Sequence, residues 1–234
     1  MTARNSDRFI FAYNRIEKSM EKMSGTISYM PFSRLIDKAK KTNAIIRKFE
    51  YDLREYGDLR NAIVHHRTDF DYAIAEPHDE IVELIEYIDQ ELSKPVTVGD
   101  LFQRKVHILQ ASDSLSAGLK LIREKKFDQI PIYEKRRFIG LITATGITYW
   151  LADKMIDEII SREMPTLLDI YYHEKQKNTY RFIKKDLSVY EAEEYFKKAV
   201  AGGKRLEALL ITENGLVDEK LLGIITPLDL MKIK

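Results

Sequence analysis

Apolar and polar positions alternate with two different periods along the chain, and the change falls near Pro95. Before it, apolar residues return every three or four positions. Phe9, Ala12, Tyr13, Ile16, Met20 and Met23 form one stripe, and Phe32, Leu35, Ile36 and Ala39 repeat it after Pro31. That spacing predicts amphipathic helices. Ile45, Ile46, Phe49, Leu53 and Tyr56 predict a third helix, expected to stop at Gly57, with Asp58 placed to cap a fourth carrying Leu59, Ala62, Ile63 and His66. An irregular stretch from His66 to Pro77 precedes a last helix with Ile81, Leu84, Ile85, Ile88 and Leu92 inward. No strand pattern interrupts this half, so an all-α bundle is expected.

After Pro95 the pattern changes. Short apolar runs predict strands at 106–109, 129–133 and 137–143, with a helix over Leu115, Leu119 and Ile122 after the first and another from about Thr145 to Ser161 after the third. The order then recurs: a strand at 181–183, a helix at 188–200, strands at 206–212 and 221–226, and a last helix opened by Pro227. Phe138-Ile-Gly-Leu-Ile-Thr143 lies over Leu221-Leu-Gly-Ile-Ile-Thr226 almost letter for letter, which predicts an internal duplication with a period of about eighty residues. The expected fold class is α+β. A helical domain over 1–94 is followed by two βαββα repeats over 95–163 and 164–234.

Composition narrows the chemistry. Of 234 residues 44% are apolar and 32% charged, which excludes a disordered or low-complexity chain. Cys is absent, and with it disulfides, thiolate metal sites and thiol nucleophiles. The apolar runs are short, and the first residues lack the apolar core of a secretory signal. A cytoplasmic protein with no membrane partner is expected. The net charge of +1 is unevenly divided. Residues 1–67 hold fourteen Lys and Arg against eight Asp and Glu, and residues 68–95 hold one against nine. This describes solvated helix faces as readily as a basic surface with an acidic helix behind it.

Each repeat ends in Gly, two apolar residues, Thr and a helix start. Glycine allows close backbone approach. In the second copy Asp229 stands one helical turn beyond Thr226, where a carboxylate can accept both hydroxyls of a ribose. The same pair also has the spacing of a capping box, and on chemistry alone the two readings are balanced. The segment from Val96 to Lys234 resembles a pair of CBS domains, a Bateman module. The resemblance rests on Gln129-Ile-Pro-Ile-Tyr133 and on the two Gly-x-x-Thr endings. It implies two sheets packed around a pseudo-twofold, with adenosine-type ligands such as AMP, ADP, ATP or S-adenosylmethionine in the clefts between copies. Carried onto this chain, Thr226 and Asp229 would hold ribose and phosphate, while Phe102, Lys105, His107, Phe127, Asp128 and Pro131 would frame the base and first phosphate. The other cleft departs from the pattern, since Thr143-Ala-Thr-Gly146 has glycine at the carboxylate position and Glu207-Ala-Leu-Leu-Ile211 lacks the proline. That cleft is expected to be weak or empty.

The densest polar cluster is Asp58-Leu-Arg-Asn-Ala-Ile-Val-His-His-Arg67. On a helix, Asn61 and His65 share a face, and Arg60 points in a related direction. A guanidinium fork suits a phosphodiester, and an imidazole can take the proton of a ribose hydroxyl. Arg60, Asn61 and His65 are therefore candidates for metal-independent RNA cleavage, against the plain alternative of packing residues at a helix end. Leu59-Arg-Asn-Ala-Ile-Val-His65 resembles the Arg-x4–6-His signature of HEPN domains. That resemblance implies a small helical bundle that dimerises and is either a ribonuclease or an inactive binding module. No metal site, phosphate-binding glycine loop or Ser–His–Asp arrangement is indicated.

The combined expectation is an adenine-nucleotide-sensing regulator in which the CBS pair controls the helical domain. No cofactor is required beyond the regulatory nucleotide; RNA is a candidate partner, DNA is not, and a homodimer is implied. The alternative is a ligand-binding or dimerisation protein whose helical domain does no chemistry.

Overall fold

In the computed structural model the described residues are 4–25, 28–65, 75–156, 164–173 and 177–233, with the side chains of His65 and Ile156 excepted. They form two units, Met1–Val96 and Thr97–Lys234.

The first unit is helical among the described residues: α1 (Asn5–Ser24), α2 (Phe32–Ala39), α3 (Ala44–Lys48), α4 (Glu50–His65) and α5 (Asp79–Ser93). Helix α1 ends where Gly25 takes φ 61°, a left-handed cap that glycine adopts without penalty. Its stripe of Phe9, Ala12, Tyr13, Ile16 and Met20 is buried against Leu35 and Ile36 of α2, Leu53, Tyr56 and Ile63 of α4, and Val82, Ile85 and Ile88 of α5. Arg8 grips Glu86 with two parallel bonds of 3.0 and 2.6 Å, which fastens α1 to α5. The Asn43 side chain accepts from the Ile45 and Ile46 amides and starts α3.

One expectation fails here. Gly57 does not stop a helix and Asp58 does not cap one, because α4 runs unbroken through both. The interruption falls earlier, at Phe49, whose backbone leaves the helical region at the end of α3. Gly57 has a packing role instead: a Cβ there would stand 3.4 Å from the Phe32 ring. His66 and Arg67 lie outside the described residues.

The second unit contains α6 (Val98–Phe102), β1 (Leu109–Gln110), α7 (Leu115–Lys125), β2 (Gln129–Glu134), β3 (Arg137–Thr143) and α8 (Ala144–Ile156). The same series returns as α9 (Leu167–His173), β4 (Tyr180–Lys184), α10 (Val189–Ala201), β5 (Ala208–Thr212), β6 (Gly223–Ile225) and α11 (Pro227–Leu230). Two three-stranded sheets result, ordered β1-β2-β3 and β4-β5-β6, each with a parallel first pair and an antiparallel second pair. The duplication is thus explicit in topology. The first strand is shorter and later than the expected 106–109, and Pro131 sits in β2 one residue before β1 begins to pair, at Ile132.

The sheets meet through aromatic rings. Phe138 of β3 stands edge-on to Tyr180 and Phe182 of β4, 5.1 Å from each, in a core completed by Leu141, Ala208, Leu210 and Leu221. The short helices cross between repeats. Thr97 pairs with Ser188 at the start of α6, and Thr166 pairs with Ser114 before α9. Val98 and Gly99 donate to the carbonyls of Leu187 and Lys185 in the second repeat, while Leu167 and Leu168 donate to Asp113 and Ala111 in the first. Each opening helix therefore docks on the other repeat's sheet.

Candidate functional site

A cavity of about 270 Å³ lies in the second unit where the chain before β1 and the start of β2 face β6 and α11. On one wall His107 and Phe127 hold their rings 5.6 Å apart at 45°. On the facing wall Asp229 Oδ2 accepts from the Thr226 amide at 2.9 Å and from the Thr226 hydroxyl at 2.8 Å. Both readings of Thr226-x-x-Asp229 are therefore compatible. The pair closes a capping box on α11, and it also lines the cavity. Asp229 Oδ1 faces Arg104 Nη2 at 3.6 Å, and the same guanidinium nitrogen donates to the Ile224 carbonyl at 3.0 Å. The Asp229 side chain is 18% exposed, sheltered yet reachable.

Of the residues singled out from sequence, Lys105, His107, Phe127, Asp128, Thr226 and Asp229 meet at this cavity. Phe102 and Pro131 do not line it. The Phe102 carbonyl is packed against Gly223, and Pro131 is buried within β2. Arg104, Lys125, Lys126 and Lys232, which carry no motif, line the cavity as well, as does Gln129 of the Gln129-Ile-Pro-Ile-Tyr133 run. A signal was present in the Lys125-Lys126 run directly before Phe127, and in Lys232 three residues beyond Asp229.

The matching position in the first repeat is built differently. Gly146 donates its amide to the Thr143 hydroxyl at 2.8 Å, a cap without a carboxylate. Glu207, opposite in the duplication, is engaged with Arg205 and with the Thr179 hydroxyl.

In the helical unit, Arg60 and Asn61 line a second cavity of about 470 Å³ with Tyr13, Glu17, Tyr29 and Phe32. Arg60 Nη1 reaches Asn61 Oδ1 at 3.4 Å, the guanidinium lies 5.9 Å from the Tyr13 ring centroid, and Arg60 Nε is buried without a protein partner. Burial pushes the Glu17 carboxyl above its ordinary value and nearby Glu21 adds to this, while Arg60 opposes the rise. His65 closes α4 one turn beyond Asn61, and its side chain lies outside the described residues. Among the described residues no group of three or more His, Asp or Glu could hold a metal ion. Nor is any helix among them long and apolar enough to cross a membrane.

The family model of the CBS domain matches residues 98–153, from α6 into α8. The second repeat returns the topology of that segment, so the C-terminal unit has the form of a CBS domain pair. Among solved structures, the chain is similar to CBSX2 in complex with AMP, at 17% identity over 58% of this chain and 93% of that one, with a TM-score of 0.42. It is also similar to an acetoin utilization protein of Vibrio cholerae, at 18% identity over 59% and 90%, with a TM-score of 0.44. A third is a CBS domain pair solved with 5′-methylthioadenosine and S-adenosyl-L-methionine, at 15% identity over 59% and 95%, with a TM-score of 0.43. The search of curated proteins finds no match.

Proposed function

We propose that the C-terminal unit senses an adenine nucleotide and that binding regulates the helical unit. The observation that carries this reading is the cavity itself. It places an aromatic pair, His107 and Phe127, across from a sheltered carboxylate, Asp229, with cations around it. An adenine ring lies against Phe127, the ribose hydroxyls bond Asp229 Oδ1, and the phosphate meets Lys105. Arg104 gives up its contact with Asp229 as the ribose arrives. The first repeat lacks the carboxylate, so one nucleotide per chain is expected. The match of residues 98–153 to the CBS domain agrees with this use of the fold.

Regulation requires that the nucleotide bind one state of the chain better than another, since equal affinity shifts nothing. For the helical unit the reading is metal-independent RNA cleavage, with His65 taking the 2′-hydroxyl proton, Arg60 bonding the phosphorane oxygens and Asn61 orienting the phosphate. Arg60 supports this by offering donors that no carboxylate claims among the described residues.

A thermal-shift panel tests the sensor. AMP, ADP or ATP at a hundredfold its Kd stabilises by about 2.7 kcal/mol, and absence of a shift with all three rejects it. Incubation with RNA in EDTA tests the output. Cleavage by the parent but not by His65→Ala supports catalysis, and no cleavage by either leaves the helical unit a binding or dimerisation module.

A further inference from the structure

The rim of the nucleotide cavity carries more charge than a monophosphate needs. Five cationic side chains line it against two carboxylates, an excess of three positive charges. Arg104 is held by Ile224 and Asp229, but Lys105, Lys125, Lys126 and Lys232 have no carboxylate partner among the described residues. They come from three separate places: the chain before β1, the end of α7 and the turn after α11. All four are exposed, so each ammonium is hydrated and available rather than consumed in an internal pair.

Lys126 adds a backbone argument. It caps α7 with φ 57° and ψ 36°, its amide donating to the Ile122 carbonyl at 2.8 Å. That left-handed conformation is the one glycine takes most easily and a side chain resists. The chain keeps a lysine there against local preference, directly beside Phe127 at the cavity. The cavity volume of about 270 Å³ leaves little room beyond a nucleoside, and the lysines that line it are exposed, so a phosphate tail reaching solvent meets them.

We propose that this cavity selects its ligand by phosphate number, taking an adenine nucleoside di- or triphosphate over AMP, with Lys125, Lys126 and Lys232 as the discriminating residues beyond Lys105, which meets the first phosphate. The proposal rests on the adenine-nucleotide reading above. A terminal phosphate carries about two negative charges, and each further phosphoryl group extends the charge toward the rim. S-adenosylmethionine, with a positive sulfonium in place of phosphate, is disfavoured for the same reason.

Isothermal titration of the full chain with adenosine, AMP, ADP, ATP and S-adenosylmethionine is the test. Affinity is expected to rise along the phosphate series, the gain shrinking as salt is added. Lys126→Gly relieves the backbone while removing the cation, so the fold is retained; it is expected to weaken ATP about tenfold and to leave adenosine within about twofold, as is Lys232→Met. Equal affinity for AMP and ATP, whatever adenosine does, overturns the proposal and leaves the adenine site standing. So does a variant that weakens adenosine as much as ATP. If none of the series binds, or if inorganic triphosphate binds as tightly as ATP, the adenine reading fails and the proposal falls with it.

Discussion

Gly223 of β6 lies against the Phe102 carbonyl so closely that a Cβ at 223 would overlap the oxygen. Its counterpart in the duplication, Gly140 of β3, lies against Tyr171, where a Cβ would stand 2.7 Å from Cζ and 3.0 Å from the hydroxyl. The glycine in each Gly-x-x-Thr ending thus admits the crossing helix of the other repeat, α6 or α9, rather than a ligand.

Gly223→Ala is expected to destabilise the C-terminal unit by about 2–3 kcal/mol, since the obstructing atom is backbone and cannot swing away. Gly140→Ala is expected to cost less, because an aromatic ring can tilt. Chemical denaturation of both variants checks the order.

Asp229→Ala is expected to remove nucleotide-induced stabilisation and also to cost about 1 kcal/mol without ligand, because the α11 cap is lost. Asp229→Asn keeps an acceptor for the Thr226 amide, so it restores most of the stability while still weakening the ribose contact. Thermal melts with and without AMP separate the two roles.

Gly57→Ala is expected to stabilise the helical unit by about 0.5–1 kcal/mol. The residue is inside α4, alanine is the better helix former, and the new methyl meets Phe32 at an ordinary 3.4 Å. A glycine ending the helix would give the opposite sign, so equilibrium unfolding distinguishes the two.

That reversal shows where the sequence was readable. Long stripes such as Phe9 to Met20 specify their helix because several side chains must share one face, and α1 lies where they place it. The repeat was visible because the matched segments share constraints: Gly140 and Gly223 must each admit a crossing helix, and Leu141, Ile142, Leu221 and Ile225 are buried. A single glycine carries less information. Gly57 is explained by Phe32, twenty-five positions earlier, and no local pattern reveals that partner. The short helices α6 and α9 were missed although Thr97-x-x-Asp100 and Thr166-x-x-Asp169 announce them as capping boxes, because the elements are too brief to show a period. At the cavity, Thr226 and Asp229 could be found by their spacing. The rim lysines left only local signs, the Lys125-Lys126 run beside Phe127 and Lys232 after Asp229, because they gather only when the loops fold together.

Glu219 supplies a pH prediction. Its carboxylate accepts from the Asn214 amide at 2.7 Å, the Asn214 side chain at 2.6 Å and the Leu216 amide at 3.3 Å, and the first of these bonds does most to lower its pKa to about 2. Because the folded value is depressed, the stability this carboxylate adds is present above its ordinary value of 4.5 and is lost as pH falls toward about 2. Residues 214–219 are expected to loosen across that window, and Glu219→Gln to loosen them at every pH. An NMR titration midpoint near 4.5 would contradict the bonding.

The exchange of α6 and α9 has a practical corollary for anyone dissecting the protein. A fragment cut at residue 153, where the family-model match ends, would strip the first sheet of Tyr171 and leave α6 without the second repeat it docks on. Neither half keeps its own partner for the crossing helix, so the pair is expected to denature as one body.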